Sequence, residues 1–242
     1  MKKAYLRFLK KIRKFRKSLL SDKDIKRGKM YFLWLEIKTE IIQNEQNEKY
    51  IYENIIKYTL KNYKIDKYIY ERLDDEIKTI VNNNYVLKNH NYIFNNINIS
   101  FNDTRLLAKK ILFRRGNVVW IDFGFNIGSE FGGMHPAIIL KNFDKELFVL
   151  PVSSKKPKEY IKIEKDYEDG KILLEECKKR KSKLTAVIQL DNIYRFKKMT
   201  RWADITRMKK ISLLRLNFSG TIGKVDGKYI DEIYKRIVKD MS

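Results

Sequence analysis

The distribution of apolar and polar residues gives the first part of the chain helical periodicity and the second part strand-like alternation. In the first twenty residues, apolar side chains recur every three or four positions among nine Lys or Arg residues, a pattern typical of an amphipathic basic helix. Similar spacing predicts further helices in the segments DIKRGKMYFLWLEIKTEII, KYIYENIIKYTLKN and DKYIYERLDDEIKTIV. We therefore expect four helices that form a small bundle.

An asparagine-rich segment at residues 82–103 separates the two patterns. Its aromatic and β-branched residues are compatible with two short strands or with an ordered linker, and the sequence favours neither alternative over the other. His90 lies among these asparagines, and we interpret it as a surface or turn residue. A boundary near the end of the segment divides the chain into a basic helical domain, residues 1–104, and a second domain, residues 105–242.

The second domain is predicted to contain short strands and one terminal helix. Strands are expected in NVVWIDFG, PAIILKN, LFVLPVSS, EYIKIE and LTAVIQLDNIYRF. The basic run KKRKSK, residues 178–183, predicts an exposed loop, and VDGKYIDEIYKRIVKDM has the spacing of an amphipathic helix. Five short strands joined by glycine-rich loops favour a strongly curved sheet or a barrel, so the fold class is α+β.

Composition narrows the partners of this protein. The formal net charge is +23, an excess that attracts polyanions and makes nucleic acid the leading partner. An AT-rich genome, which enriches Lys, Asn, Ile and Tyr, is the alternative explanation. Cys177 is the single cysteine, so neither an intramolecular disulfide nor a cysteine-based zinc site can form.

Several other functions are disfavoured by the sequence. The sequence contains no phosphate-binding glycine loop, no dinucleotide-binding motif and no two histidines at the helical spacing of metal ligands. We therefore expect no cofactor and no metal. Long apolar runs are absent as well. We therefore expect a cytoplasmic protein with no membrane association.

The segment RRGNVVWIDFGFNIGSEFGGMHPAIIL resembles the opening of the MazF/PemK toxin family. Members begin with Arg-Gly-Asp and an apolar strand, continue through a Gly-Ser-Glu loop, and reach a second strand through Arg-Pro. LFVLPVSSKK resembles the third strand of the family, and AVIQLDNIYRF resembles a later strand that carries an acidic residue and a Gln before Ile. The similarity covers residues 110 to 240 approximately and does not include the amino-terminal hundred residues.

The resemblance implies an SH3-like small β-barrel with a carboxy-terminal helix, usually a homodimer. It also implies a metal-independent endoribonuclease that cleaves single-stranded RNA, arrests translation and is held inactive by a cognate antitoxin protein. Such cleavage uses the ribose 2′-hydroxyl as nucleophile. The protein must therefore move protons and stabilise negative charge on the phosphorane.

At the positions of the family's catalytic arginine and Thr or Ser, this chain has His135 and Ser153. Arginine is a permanent cation, whereas imidazole titrates near pH 6.5 and can both accept and donate a proton. We predict that His135 is the general base or acid and that Ser153 donates a hydrogen bond to a non-bridging oxygen. Glu130 either orients His135 or a base, or is a solvated loop acid.

The remaining candidates are expected to bind RNA. Arg115, Lys155 or Lys156 supplies the positive charge lost with the arginine, and Asp191 and Asn192 contact base edges or form hydrogen bonds within the barrel. Two serines beside the catalytic positions complete the set of expected RNA contacts: Ser129 and Ser154. Two alternatives stay open: a catalytically weakened relative that only binds nucleic acid, with His135 as an ordinary loop residue, and a protein-interaction module.

Overall fold

The computed structural model describes residues 48–124, 132–184 and 186–241. The two predicted helices within residues 1–47 lie outside the described residues. Among the residues described, no helix is long and apolar enough to cross a membrane.

Helices and a small antiparallel sheet together form the amino-terminal part. In chain order its elements are α1 (Glu48–Asn54) with a π-helical continuation (Ile55–Leu60), β1 (Ile65–Asp66), α2 (Lys67–Glu71), α3 (Asp75–Asn84), β2 (Tyr85–Lys88), β3 (Asn91–Phe94) and α4 (Phe101–Leu107) with a π-helical continuation (Ala108–Leu112). The sheet order is β1-β3-β2. The segment predicted as one helix, DKYIYERLDDEIKTIV, thus forms two, α2 and α3.

The asparagine-rich segment forms the β2–β3 hairpin. Asn89 and His90 at its tip have φ values of 46° and 63°, the left-handed conformations that a two-residue hairpin turn requires. His90 is exposed. The interpretation of His90 as a turn residue is therefore confirmed.

A curled antiparallel sheet dominates the second part of the chain. Its strands are β4 (Asn117–Asp122), β5 (Met134–Asn142), β6 (Glu146–Ser153), β7 (Val187–Leu190), β8 (Arg201–Asp204), β9 (Lys209–Ser212) and β10 (Gly223–Lys224). The order is β10-β4-β5-β6-β8-β7, and β9 pairs with the first half of β6. A bridge between Tyr194 and Lys224 links the chain after β7 to β10, at the opposite edge. The result is a half-barrel.

Strands β4, β5 and β6 coincide with three of the predictions, whereas two other segments differ from expectation. EYIKIE is not a strand but lies in helix α5 (Lys158–Glu168). The run KKRKSK is not a loop, because helix α6 (Leu174–Ser182) includes most of it and buries Cys177. The fifth predicted strand is shorter than its segment and is confined to β7.

The two faces of the curled sheet are covered differently. On the inner face, Val118, Ile138 and Leu150 pack with Ile230 and Ile233, which lie on the predicted terminal helix, α7 (Gly227–Met241). On the outer face, the alternate residues of the same strands pack against the amino-terminal helices, and this shared cluster includes Val119, Ile121, Ile139, Leu147, Val149, Ile55, Leu60 and Leu107. Strands β4, β5 and β6 are therefore covered by apolar residues on both sides.

Polar contacts also join the amino-terminal part to the sheet. The Thr59 hydroxyl donates to the Phe218 carbonyl at 2.9 Å, and Lys109 forms an ion pair with Asp144 at 3.0 Å. The predicted domain boundary, between residues 104 and 105, falls inside α4. The division into two domains stays a prediction, and one helix and one apolar cluster extend across it.

Candidate active site

The pairing of β5 with β6 places His135 and Ser153 at the same end of the sheet. Ala137 lies opposite Pro151 in this antiparallel ladder, so the same register continued by two residues sets His135 opposite Ser153. Opposed residues of an antiparallel pair project from the same face. His135 also pairs with Ile121 of β4, and Ser153 pairs with Trp202 of β8.

Both side chains line one open cleft of about 800 Å³. One wall is formed by strand ends, with Pro151 and Trp202 beside His135 and Ser153. The other wall is formed by residues around α5 and α6. The wall that carries His135 and Ser153 therefore consists of strand ends, which position side chains more precisely than loops do.

His135 is half-buried, and burial lowers the pKa of its imidazole from 6.5. The charge of Lys155 lowers the pKa further, while a hydrogen bond with the Gly132 backbone raises it. The net direction is downward. His135 is consequently neutral near pH 7, the state in which an imidazole accepts a proton.

Ser153 ends β6, and its hydroxyl oxygen accepts a hydrogen bond from the backbone N–H of Lys155 at 3.0 Å. This bond fixes the turn that follows the strand. A hydroxyl accepts and donates at once. The Ser153 O–H can therefore donate to a ligand in the cleft.

Cations outnumber carboxylates around the cleft. The lining includes five cationic side chains and two carboxylates: Lys155, Lys156, Lys158, Lys183 and Arg207, with Glu159 and Asp204. Part of this charge is internally paired, since Arg207 contacts Asp204 at 3.0 Å and Lys156 contacts Glu164 at 2.7 Å. The balance is positive, as an anionic ligand requires.

Six candidates from the sequence lie away from the cleft lining or outside the described residues, and Asp191 and Asn192 are two of them. Ser154 is exposed and not part of the lining. Arg115 precedes β4 and stacks over Tyr234 of α7, with 5.5 Å between guanidinium carbon and ring centroid. Ser129 and Glu130 lie outside the described residues.

Asp191 and Asn192 follow β7 and do not reach the cleft. The Asp191 carboxylate accepts hydrogen bonds from Gln189 and from the Tyr229 hydroxyl, both at 2.9 Å. These bonds lower the pKa of Asp191. They favour the structural role for Asp191, because they join β7 to α7.

The sequence did not indicate the second wall of the cleft. Tyr160 of α5 packs against Trp202 with 4.7 Å between ring centroids. Lys158 at the start of α5 and Lys183 just after α6 line the cleft on that side. A helical signal was available, since Tyr160, Ile163 and Tyr167 recur at three- and four-residue steps. The alternation within EYIKIE concealed it.

The part of the chain that contains the curled sheet matches a known protein family. Residues 114–239 match the family described as PemK-like, MazF-like toxin of type II toxin-antitoxin system. This protein therefore belongs to the PemK/MazF toxin family, and the resemblance expected from the sequence is confirmed. No curated protein among those compared matches the chain.

Proposed function

We propose that this protein is a metal-independent endoribonuclease toxin that cleaves single-stranded RNA, and that its half-barrel is of the SH3-like type. The observation that carries the proposal is the shared cleft, in which a neutral imidazole and a hydroxyl lie at opposed strand positions within a cationic lining. Membership of the toxin family supports the same chemistry. Cleavage of messenger RNA would arrest translation.

In this mechanism His135 accepts the proton of the ribose 2′-hydroxyl as the 2′-oxygen attacks phosphorus. Ser153 donates a hydrogen bond to a non-bridging oxygen, and Lys155 stabilises the negative charge of the phosphorane. The bond from phosphorus to the 5′-oxygen then breaks. The imidazolium formed in the first step protonates that oxygen, which gives a 2′,3′-cyclic phosphate and a 5′-hydroxyl end.

The partners of the proposed toxin are single-stranded RNA and a cognate antitoxin protein, in the cytoplasm. A homodimer belongs to the same proposal. The outer face of the sheet is already buried under the amino-terminal helices of its own chain. A second copy would therefore bind elsewhere on the surface.

The test is to incubate the purified protein with a long RNA in EDTA and to map the fragment ends. We expect 5′-hydroxyl ends at short recurring sequences, and a loss of at least 100-fold in cleavage rate in His135→Ala. His90→Asn is the matched control, since it removes the other histidine at an exposed turn where asparagine tolerates the positive φ. This variant should cleave at the wild-type rate.

Two other outcomes would replace the proposal. Retention of RNA without cleavage would identify a relative that binds nucleic acid but does not cleave it. This is the second candidate function, because His135 replaces the arginine of the family. Neither cleavage nor retention of RNA would identify a protein-interaction module. An unchanged rate in His135→Ala would remove that residue from the mechanism.

A further inference from the structure

A second cleft, of about 270 Å³, lies where the amino-terminal part meets the edge of the sheet. Some of its lining residues lie around β1 and α2, and the others lie after β7 or at β10 of the curled sheet. The lining residues are Tyr63, Asp66, Tyr68, Ile69, Tyr194, Arg195, Ile222, Gly223 and Lys224. None of these residues lines the cleft of His135. Neither the family match nor the proposed mechanism gives this cleft a role.

Two tyrosines of this cleft present large aromatic surfaces to solvent. Tyr68 is 59% exposed and Tyr194 is 57% exposed. The backbone of Tyr194 is fixed by two hydrogen bonds with Lys224, with N to O distances of 2.9 and 3.3 Å. A ring held on a fixed backbone loses little conformational entropy when a ligand packs against it.

One guanidinium lies beside each ring. The Arg72 guanidinium lies over the Tyr68 ring at 3.3 Å, and the Arg195 guanidinium lies 5.4 Å from the centroid of Tyr194. Arg195 has a φ of 67° and donates to the Lys64 carbonyl at 2.7 Å, which ties it to the amino-terminal part. Lys224 adds a third, exposed cation.

The one carboxylate in the lining has a structural partner. Asp66 accepts a hydrogen bond from the backbone N–H of Ile69 at 2.8 Å as the N-cap of α2. Exposed aromatic faces beside cations form the type of surface on which unpaired bases stack while their phosphates are neutralised. The charge and the aromatic content of the cleft thus complement the same polymer.

We propose that Tyr68, Tyr194, Arg195 and Lys224 form a stacking platform for single-stranded RNA, separate from the cleft of His135. Lys224 lies opposite Asn117 at the start of β4, and His135 lies opposite Ile121 of the same strand. At a rise of about 3.3 Å per residue, these positions are about 13 Å apart along the strand. Because β10 and β5 flank β4, the two positions are also about 10 Å apart across the sheet. A strand of several nucleotides is needed to join the platform to the scissile phosphate, and this aspect rests on the proposed function.

The experiment measures binding without cleavage. A fluorescent RNA oligonucleotide with 2′-O-methyl groups has no free 2′-hydroxyl, so it cannot undergo the proposed reaction, and its affinity for the full chain is followed by anisotropy. We expect Tyr68→Ala and Tyr194→Ala each to weaken binding at least 5-fold, because each removes a stacking surface. Tyr194→Phe keeps the ring and should bind within 2-fold of wild type.

Two further variants separate stacking from general effects. Tyr58→Ala removes an exposed tyrosine that also has a neighbouring lysine, Lys57, but does not line this cleft; its affinity should be unchanged. Lys224→Gln should reduce the slope of log K against log salt concentration by about 0.7, the contribution of one phosphate contact to single-stranded nucleic acid. Unfolding temperatures equal to wild type would establish that each variant is folded.

An unchanged affinity in both tyrosine-to-alanine variants would overturn the platform. A Tyr58→Ala effect as large as theirs would overturn it as well. The outcome is independent of the cleavage test. Wild-type protein that binds through these tyrosines but leaves ordinary RNA intact would retain the platform and refute the endoribonuclease.

Discussion

His135 differs from the arginine of the family motif in the pH range over which it carries charge. A guanidinium stays protonated at every physiological pH. The imidazole of His135 is partly buried, and burial lowers its pKa from the usual 6.5. The replacement exchanges a fixed phosphate-binding cation for a group that can accept a proton. Positive charge in the cleft then has to come from neighbours such as Lys155.

The pH dependence of cleavage follows from this shift. If His135 is the general base, kcat/KM should rise with pH through an acidic limb whose midpoint lies below 6.5, and it should then level off. In the interval between the folded pKa and 6.5, the unfolded chain binds more protons, so the free energy of unfolding also rises with pH. The measurement is kcat/KM from pH 4.5 to 8.5.

The control for this profile is His135→Gln, which keeps a polar side chain of similar size but does not titrate. Its residual cleavage should lack the acidic limb. Wild-type activity that falls as pH rises through 6 would contradict the assignment of His135 as base, because it would require the protonated imidazole.

Helices α5 and α6 form a charged hairpin between β6 and β7. The Glu164 carboxylate bridges Lys156 at 2.7 Å and Lys181 at 2.9 Å, and these two lysines lower its pKa. Each pair is partly exposed, so its contribution to the free energy of unfolding is at most about 1 kcal/mol. The effect of the bridge on the cleft is electrostatic, because one carboxylate offsets the charge of lysines beside the cleft.

Glu164→Gln tests this electrostatic role. Removal of the carboxylate releases Lys156 and adds one unit of positive charge near the cleft, so affinity for the 2′-O-methyl RNA should rise about 2- to 5-fold at low salt. The gain should vanish at high salt. Binding anisotropy at two salt concentrations is the measurement.

Glu53→Gln is the matched control for Glu164→Gln. It makes the same charge change on α1, where Glu53 pairs with Lys49 at 3.8 Å. Equal gains in both variants would mean that net charge alone, and not the bridge at the cleft, sets the affinity.

The outer apolar cluster makes the amino-terminal part and the sheet one packing unit. Ile55 of the π-helical segment is fully buried in the cluster that contains Val119 and Ile139 of the sheet. A strand buried on both faces loses apolar cover if the amino-terminal part detaches. We therefore expect the two parts to unfold together.

Ile55→Ala should lower the free energy of unfolding by about 2–5 kcal/mol, the usual cost of such a truncation in a packed core. The fluorescence signal should come from the sheet as well, because it contains two of the three tryptophans, Trp120 and Trp202. Urea unfolding followed by tryptophan fluorescence and by circular dichroism should give one coincident transition at a lower midpoint.

Ile97→Ala provides the comparison, because Ile97 is 76% exposed and its truncation should leave the midpoint unchanged. Separate transitions by the two probes in Ile55→Ala would contradict cooperative unfolding and would support two independent domains.

Local patterns predicted those elements whose residues are governed by neighbours in the chain. β4, β5 and β6 were found from their apolar runs, and α7 from its helical spacing. Short or ambiguous segments were not predicted correctly. EYIKIE alternates like a strand but lies in helix α5. The strands after position 200 have only two or four residues, too few for a recognisable pattern. Tertiary packing against Trp202 accompanies the helical outcome in α5.

The sequence by itself determined the toxin family and the three central strands, because each is encoded in contiguous residues. It also predicted the pair His135 and Ser153. Only the tertiary structure decided that these two residues share a cleft while Arg115, Asp191 and Asn192 lie outside it. It also decided that the amino-terminal helices cover the outer face of the sheet. The physical reason is that strand register and the packing of faces join residues far apart in the chain, and no local periodicity records those pairings.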